Sequence, residues 1–183
     1  MILFNFSKRL HTFLIIIIVF IFAYHIADLS PSKLTLIDAI RAAQPSATKW
    51  SRHARPVYII STDAGEYMHF NHGSSGKRSN WNAIFVDPTT GHNLLVAIRH
   101  GQPRYSRQLL MAFKSPINVG DLKYDSPVAL QAAHRAGKII PGMTDFHFEL
   151  RVEQHPVMRI YYRNSSSNYR LLSLDEKTCR FLP

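Results

Sequence analysis

One pattern occurs twice in this chain, and it limits the fold more than any other feature. Thr35 opens an apolar-periodic run in which Leu36, Ile40 and Ala43 share one face, with Ile37 beside them. Thr35 suits an N-cap, and Asp38 in the first turn favours the helix dipole. Pro45 is expected to end that helix. A second run starts at Ser126, read as the cap, with Pro127 at the first helical position and Gly137 as the stop. AIRAA (Ala39 to Ala43) and ALQAA (Ala129 to Ala133) superpose without a gap.

Strand-like segments follow each helix. In the first copy they are Val57 to Ser61, Glu66 to Asn71 and Ala83 to Val86, continued after a turn by Leu94 to Ile98. In the second they are Phe146 to Val152, Val157 to Arg163 and Tyr169 to Leu174. FHFELRV alternates strictly, which predicts a half-buried strand of an antiparallel sheet. Asp63-Ala64-Gly65 and Gln154-His155-Pro156 are short enough to close hairpins. AIFVDPTTGHNLL aligns with LLSLDEKTCRFLP, pairing Asp87 with Asp175 and Gly91 with Cys179. Asp87, Gly91 and Asp175 are therefore expected to be structural turn residues. Aspartate bonds to amides ahead of it, and glycine supplies a positive φ.

Leu10 to Leu29 is almost wholly apolar, and from Phe13 to Tyr24 only the Tyr24 hydroxyl can hydrogen-bond through a side chain. Twenty helical residues reach about 30 Å, the thickness of a bilayer core. Lys8 and Arg9 before it favour a cytoplasmic N-terminus. A cleaved secretory signal is the alternative, although FAYHIADLS offers no clean small-x-small cleavage pair. The expected organisation is a cytoplasmic tail and transmembrane anchor at 1–30, a first module at 31–98, a connector at 99–120 and a second module at 121–183. In the connector, SRQLLMAF (Ser106 to Phe113) reads either as a short helix with Leu109, Leu110 and Phe113 inward or as a segment dipping into the membrane surface, and eight residues are too few to separate the two.

The AIRAAQP helix and the strand-turn FVDPTTGHNLL resemble the PepSY family, in its closing pattern of an apolar strand, Asp, a short turn, Gly and another strand. The opening SKRLHTFLIIIIVFIFAYHI is similar to the first span of PepSY-associated membrane proteins. The resemblance covers 34–98 well and 125–182 less well, because Cys179 replaces the Gly and Glu176 the Pro. It implies an α+β fold: an N-terminal transmembrane helix, then two PepSY/cystatin-like modules, each a helix on an antiparallel three-stranded sheet. It also implies anchoring in a bacterial inner membrane with a periplasmic body; the similar membrane proteins usually carry further spans, but no stretch after Leu95 reaches 18 apolar residues, so a single pass is expected here. The family role is binding or regulation, sometimes tied to peptidases or to metal and siderophore reduction, and the family brings no catalytic residues.

The residues themselves give no catalytic, cofactor or metal site. The single Cys excludes an intramolecular disulfide and a Cys-based zinc site. His69 and His72, three apart at a strand end, point to opposite faces, and there is no HExxH. Gly73-Ser74-Ser75-Gly76-Lys77 has two residues between its glycines where a phosphate loop needs four. The remaining candidate for gripping a partner is Lys77, Arg78 and Trp81, cations beside an indole. The alternative places Trp81 in the core.

The formal net charge is +10, and it is uneven: 11 basic against 4 acidic residues over 31–115, then 9 against 7. A pI near 10 usually suggests nucleic acid. The expected compartment opposes that, so the predicted partners are the membrane, anionic lipid headgroups and an envelope protein, with no nucleic acid. The leading expectation is a non-enzymatic binding or regulatory protein. The alternatives are an accessory subunit of a membrane redox or metal/siderophore-uptake system, and a peptidase inhibitor or propeptide-like regulator.

Overall fold

The computed structural model describes residues 32–63, 73–110, 113–143, 145–163, 169–178 and 180–182. Residues 32–183 form a single unit. Helix α1 (Leu36–Trp50) is followed by β1 (Arg55–Ser61), β2 (Trp81–Val86), β3 (Asn93–Arg99) and β4 (Gln102–Leu109). Helix α2 (Ser126–Arg135) is followed by β5 (Asp145–Val152), β6 (Pro156–Arg163), β7 (Tyr169–Asp175) and the short β8 (Arg180–Phe181). All eight strands join one antiparallel sheet in the order β4-β3-β2-β1-β5-β6-β7-β8.

This corrects the expected fold class. There are not two separate three-stranded modules. β1 pairs with β5 through Tyr58↔Arg151, Ile59↔Leu150 and Ile60↔Glu149, which fuses the halves into one sheet. The physical reason is edge protection: a small sheet with a bare apolar edge strand gains by pairing it. Within the sheet the aligned turns also differ in position: counted outward from the central β1–β5 pair, Asp87 follows the second described strand, β2, whereas Asp175 ends the third, β7. A simple tandem repeat is not supported. β1 pairs directly with β2, Ser61↔Trp81, across residues 62–80. The expected strand Glu66 to Asn71 lies outside the described residues, as do Ala64, Gly65, His69, His72 and Cys179.

The connector is corrected as well. Residues 102–109 are strand β4, paired to β3 from Asn93↔Leu109 to Arg99↔Gln102, not a helix. Leu110 is fully exposed rather than inward. Pro45 does not end α1, which runs on to Trp50. Pro45 is exposed, while Ala43 and Ala47 on the opposite face stay buried, so the hydrogen bond that its missing N–H cannot give to the preceding turn falls on the outer side of the helix. The cap of α2 is Asp125, one residue before the expected Ser126.

The membrane placement is also corrected. Among the described residues no helix is long and apolar enough to cross a membrane. α1 and α2, of 15 and 10 residues, fall short of the roughly 20 a span needs, and each buries only one face. The apolar run Leu10 to Leu29 lies outside the described residues. The inner-membrane, single-span localisation is not retained.

The core lies between the helices and one face of the sheet. Leu36, Ala39, Ile40 and Ala43 of α1 and Ala129, Leu130 and Ala133 of α2 meet Ile59, Phe85, Val96, Phe148, Leu150 and Ile160. Alanine at the contact positions lets the helix axes approach the sheet closely. The helix starts are tied together: Ser126 Oγ accepts from Leu36 N at 2.9 Å and donates to Gly76 O at 2.6 Å, while Asp125 Oδ1 accepts from Ile37 N at 3.1 Å. Two orphan amides of α1 are thus satisfied by the start of α2. Gly76 is required there, since its φ is +76° and an added Cβ would lie 2.3 Å from Pro127 Cα.

Candidate functional site

The opposite, outer face of the sheet divides in two. Over β1–β3 it carries a small apolar cluster, Val57, Ile84, Val86 and Leu95, partly covered by Leu109 and Phe113. Over β5–β7 it carries charge. The alternation in FHFELRV that buries Phe146, Phe148 and Leu150 necessarily turns Asp145, His147, Glu149 and Arg151 outward. Arg159, Tyr161 and Arg163 of β6 lie beside them in register.

At one end of this face, Asp63, Arg78, Asp145, His147 and Arg163 form a network. Arg78 is 1% exposed, and its guanidinium pairs with Asp63 Oδ1 and lies 3.4 Å from Asp145 Oδ1. Arg163 Nε donates to Asp145 Oδ2 at 2.6 Å. His147 Nε2 stands 3.2 Å from Asp63 Oδ2 and 3.7 Å from Asp145 Oδ1. His147 Nδ1 lies 3.3 Å from Ser61 Oγ, which accepts from Phe148 N at 3.0 Å. The close contact with His147, helped by the Arg78 guanidinium, holds the Asp63 carboxyl at about 2. A lowered folded pKa adds stability above the unfolded value, near 4, and that contribution is lost as pH falls toward 2.

Beside the network a cleft of about 440 Å³ opens on the outer face, lined by Ile60, Ser61, Thr62, Asp63, His147, Tyr161 and Tyr169. Tyr169 receives the Arg163 guanidinium over its ring at 5.0 Å. The Tyr161 hydroxyl donates to Glu149 Oε2 at 2.5 Å, and burial raises its pKa. Burial, followed by the nearby Glu149 charge, pushes Tyr58 up to about 12. Both phenols therefore stay neutral hydrogen-bonding groups at neutral pH. A second cleft, about 620 Å³, lies between Pro56, Pro88 and the Pro116–Gly120 segment, with Arg55 as its one lining residue of formal charge.

The residues expected to grip a partner are not gathered on a surface. Trp81 is fully buried and donates from Nε1 to Arg78 O at 2.9 Å. Arg78 is buried beneath its carboxylate partners, and only Lys77 is exposed. The expected Lys77–Arg78–Trp81 grip is corrected accordingly: the indole belongs to the core, and Arg78 organises the network. At the turns, Asp87 Oδ1 accepts from Thr89 N at 2.8 Å, Gly91 has φ +72°, and Asp175 Oδ1 accepts from Lys177 N and Thr178 N at 2.8 and 2.9 Å. Glu176 does more than fill a turn. It is 1% exposed, and its Oε2 accepts from Lys123 N and Tyr124 N, tying the approach to α2 to the far end of the sheet. Burial raises its pKa.

Sequence reasoning missed the Asp63–Asp145–His147 set because Asp63 and His147 are far apart in the chain and meet only when β1 pairs with β5. The one local signal was the polar face of FHFELRV. Comparison with family models, curated proteins and solved structures finds no match, so the PepSY resemblance rests on the quoted residues alone.

Proposed function

We propose that the protein is a non-enzymatic binding or regulatory protein, and that the cleft beside the Asp63–His147 network is where its ligand sits. One observation carries this reading: an open cleft lies where the ion pairs of Asp63, Arg78, Asp145 and Arg163 meet two tyrosine rings on the outer face of the sheet. Ligand sites characteristically combine apolar or aromatic walls with a few fixed polar groups. The ligand that fits has an apolar or aromatic body lying on Tyr161 and Tyr169 and a polar end reaching Asp63.

The nearest approach to catalytic machinery is Ser61, His147 and Asp63. Ser61 Oγ meets one imidazole nitrogen and Asp63 lies at the other. Ser61 is only 3% exposed, however, and its Oγ already accepts the Phe148 amide. A nucleophile needs a free path to its electrophile and a general base acting on its own proton, so this arrangement supports an orienting contact rather than an attacking group.

The test is a shift-perturbation NMR screen of the labelled protein with small aromatic amines and short peptides. Perturbations centred on Ile60–Asp63, His147, Tyr161 and Tyr169, abolished by Tyr161→Ala, are the expected result. Hydrolysis of simple ester or peptide substrates that disappears in Ser61→Ala, with the fold intact, would replace this reading with an enzymatic one.

A further inference from the structure

We propose that Asp63 Oδ2, Asp145 Oδ1 and His147 Nε2 form a binding site for a divalent first-row transition metal, with its open coordination positions facing the cleft. This deepens the binding reading above and rests on it only for the role of the cleft.

Each of the three residues offers one donor atom within 4.8 Å of the others, and His147 Nε2 stands 3.2 Å from Asp63 Oδ2 and 3.7 Å from Asp145 Oδ1. A tetrahedral ion with bonds of about 2.0–2.2 Å separates its donors by about 3.3–3.6 Å. Small movements would therefore complete the geometry. His147 Nε2 is buried, and despite its closeness to Asp63 it makes no hydrogen bond of acceptable angle. A buried ring nitrogen that faces two carboxylates without a well-formed hydrogen bond is a position an ion can take, and a proton on Nε2 is what the ion would displace.

The surrounding contacts match the support that metal ligands need. Ser61 Oγ at Nδ1 fixes the plane of the His147 ring. Asp63 gives its other oxygen to Arg78, and Asp145 gives its other oxygen to Arg163. Each carboxylate is thus held by an arginine on one oxygen while the other turns inward, although Arg78 Nη1 also approaches Asp145 Oδ1 at 3.4 Å. Outer partners of this kind set ligand orientation. They also cancel charge: two guanidiniums balance two carboxylates, so the site is neutral before a dication enters. One nitrogen and two oxygen donors suit zinc, iron or manganese rather than a thiolate-seeking ion.

Chelator-stripped protein should be titrated with Zn²⁺ by calorimetry and with Co²⁺ by absorption. One equivalent should bind, with a four- or five-coordinate Co²⁺ band. His147→Ala and Asp63→Asn should each weaken it by about tenfold or more. His92→Ala, an exposed histidine in the Asp87 turn, should bind as the parent does. Asp63 is half-exposed, so Asp63→Asn keeps the test valid if His147→Ala does not fold. Absence of stoichiometric binding, or binding unchanged in both variants, overturns the proposal. Either failure leaves the organic-ligand map of the cleft standing, since Tyr161→Ala reports on that separately.

Discussion

The outer face of the sheet is treated in two ways by one chain. Over β1–β3 it is closed: residues 113–117 cross it, with Phe113 N donating to Asn93 Oδ1 at 2.6 Å, Asn93 Nδ2 donating back to Phe113 O, and Ile117 N donating to Pro56 O at 2.7 Å. The Phe113 ring lies 5.4 Å from the Tyr58 ring over the apolar cluster. Over β5–β7 no such crossing is seen among the described residues, and the face is held by ion pairs. The closed half gains stability from area removed from water. In the open half the buried charges hold one another in place at little net gain in stability, and arranged charge is what a ligand can use. That difference is the ground for placing the proposed ligand site on the β5–β7 side.

The largest expected effect probes the open half. Asp145 is the carboxylate that Arg78, Arg163 and His147 share. Asp145→Ala takes one carboxylate from the buried Arg78, and breaking a buried pair by removing one partner is costly. A loss of about 3 kcal/mol is expected from the denaturant midpoint at unchanged slope. Asp145→Asn should recover part of it, since an amide oxygen still accepts from Arg163. A loss under about 1 kcal/mol would mean that the open face is solvated rather than built.

The closed half should respond less. Phe113 is only partly buried, so Phe113→Ala is expected to cost about 1–2 kcal/mol, well below the cost of truncating a core phenylalanine. The backbone bonds to Asn93 survive the change. Increased binding of a hydrophobic dye should accompany it, as Val57, Ile84, Val86 and Leu95 become exposed. If the cost equals that of Asp145→Ala, the two halves do not differ in how they are held.

Much of this was legible locally. The helices, the alternation of β5 and the aspartate turns follow from short windows, because capping, periodicity and turn chemistry act over a few residues. What was not legible depends on pairing between distant strands. Nothing around Tyr58 to Ile60 or Glu149 to Arg151 says that these segments are partners, yet that pairing turns two expected modules into one sheet. The same pairing brings His147 to Asp63. Lys77, Arg78 and Trp81 leave two readings open in the sequence, a surface grip and an indole in the core, because the carboxylates that pair with Arg78 arrive from elsewhere; the buried Trp81 fits the second. SRQLLMAF reads as helical because its apolar residues cluster, whereas the edge beside β3 accepts Ser106 to Leu109 as the end of a strand.

The smallest expected effect separates the buried charges of the open half from its solvated ones. Arg151 donates to Glu153 Oε1 from Nε at 2.9 Å and from Nη2 at 2.5 Å, but each side chain is 38% exposed. The pair moves the pKa of each partner, Arg151 upward and Glu153 downward, each chiefly through this hydrogen bond. Water screens such a pair, so the shifts do not translate into matching stability. Arg159 Nη2 also reaches the same Glu153 oxygen at 2.6 Å and keeps it paired when Arg151 is lost. Arg151→Ala should therefore cost less than about 1 kcal/mol, and the cost should shrink as salt is raised. A salt-independent loss above about 2 kcal/mol would place the weight on the longer 3.7 Å contact from Arg151 to the buried Glu149. In that case the built part of the open face would extend along β5 from His147 to Arg151, beyond the cleft end to which the ligand site is assigned.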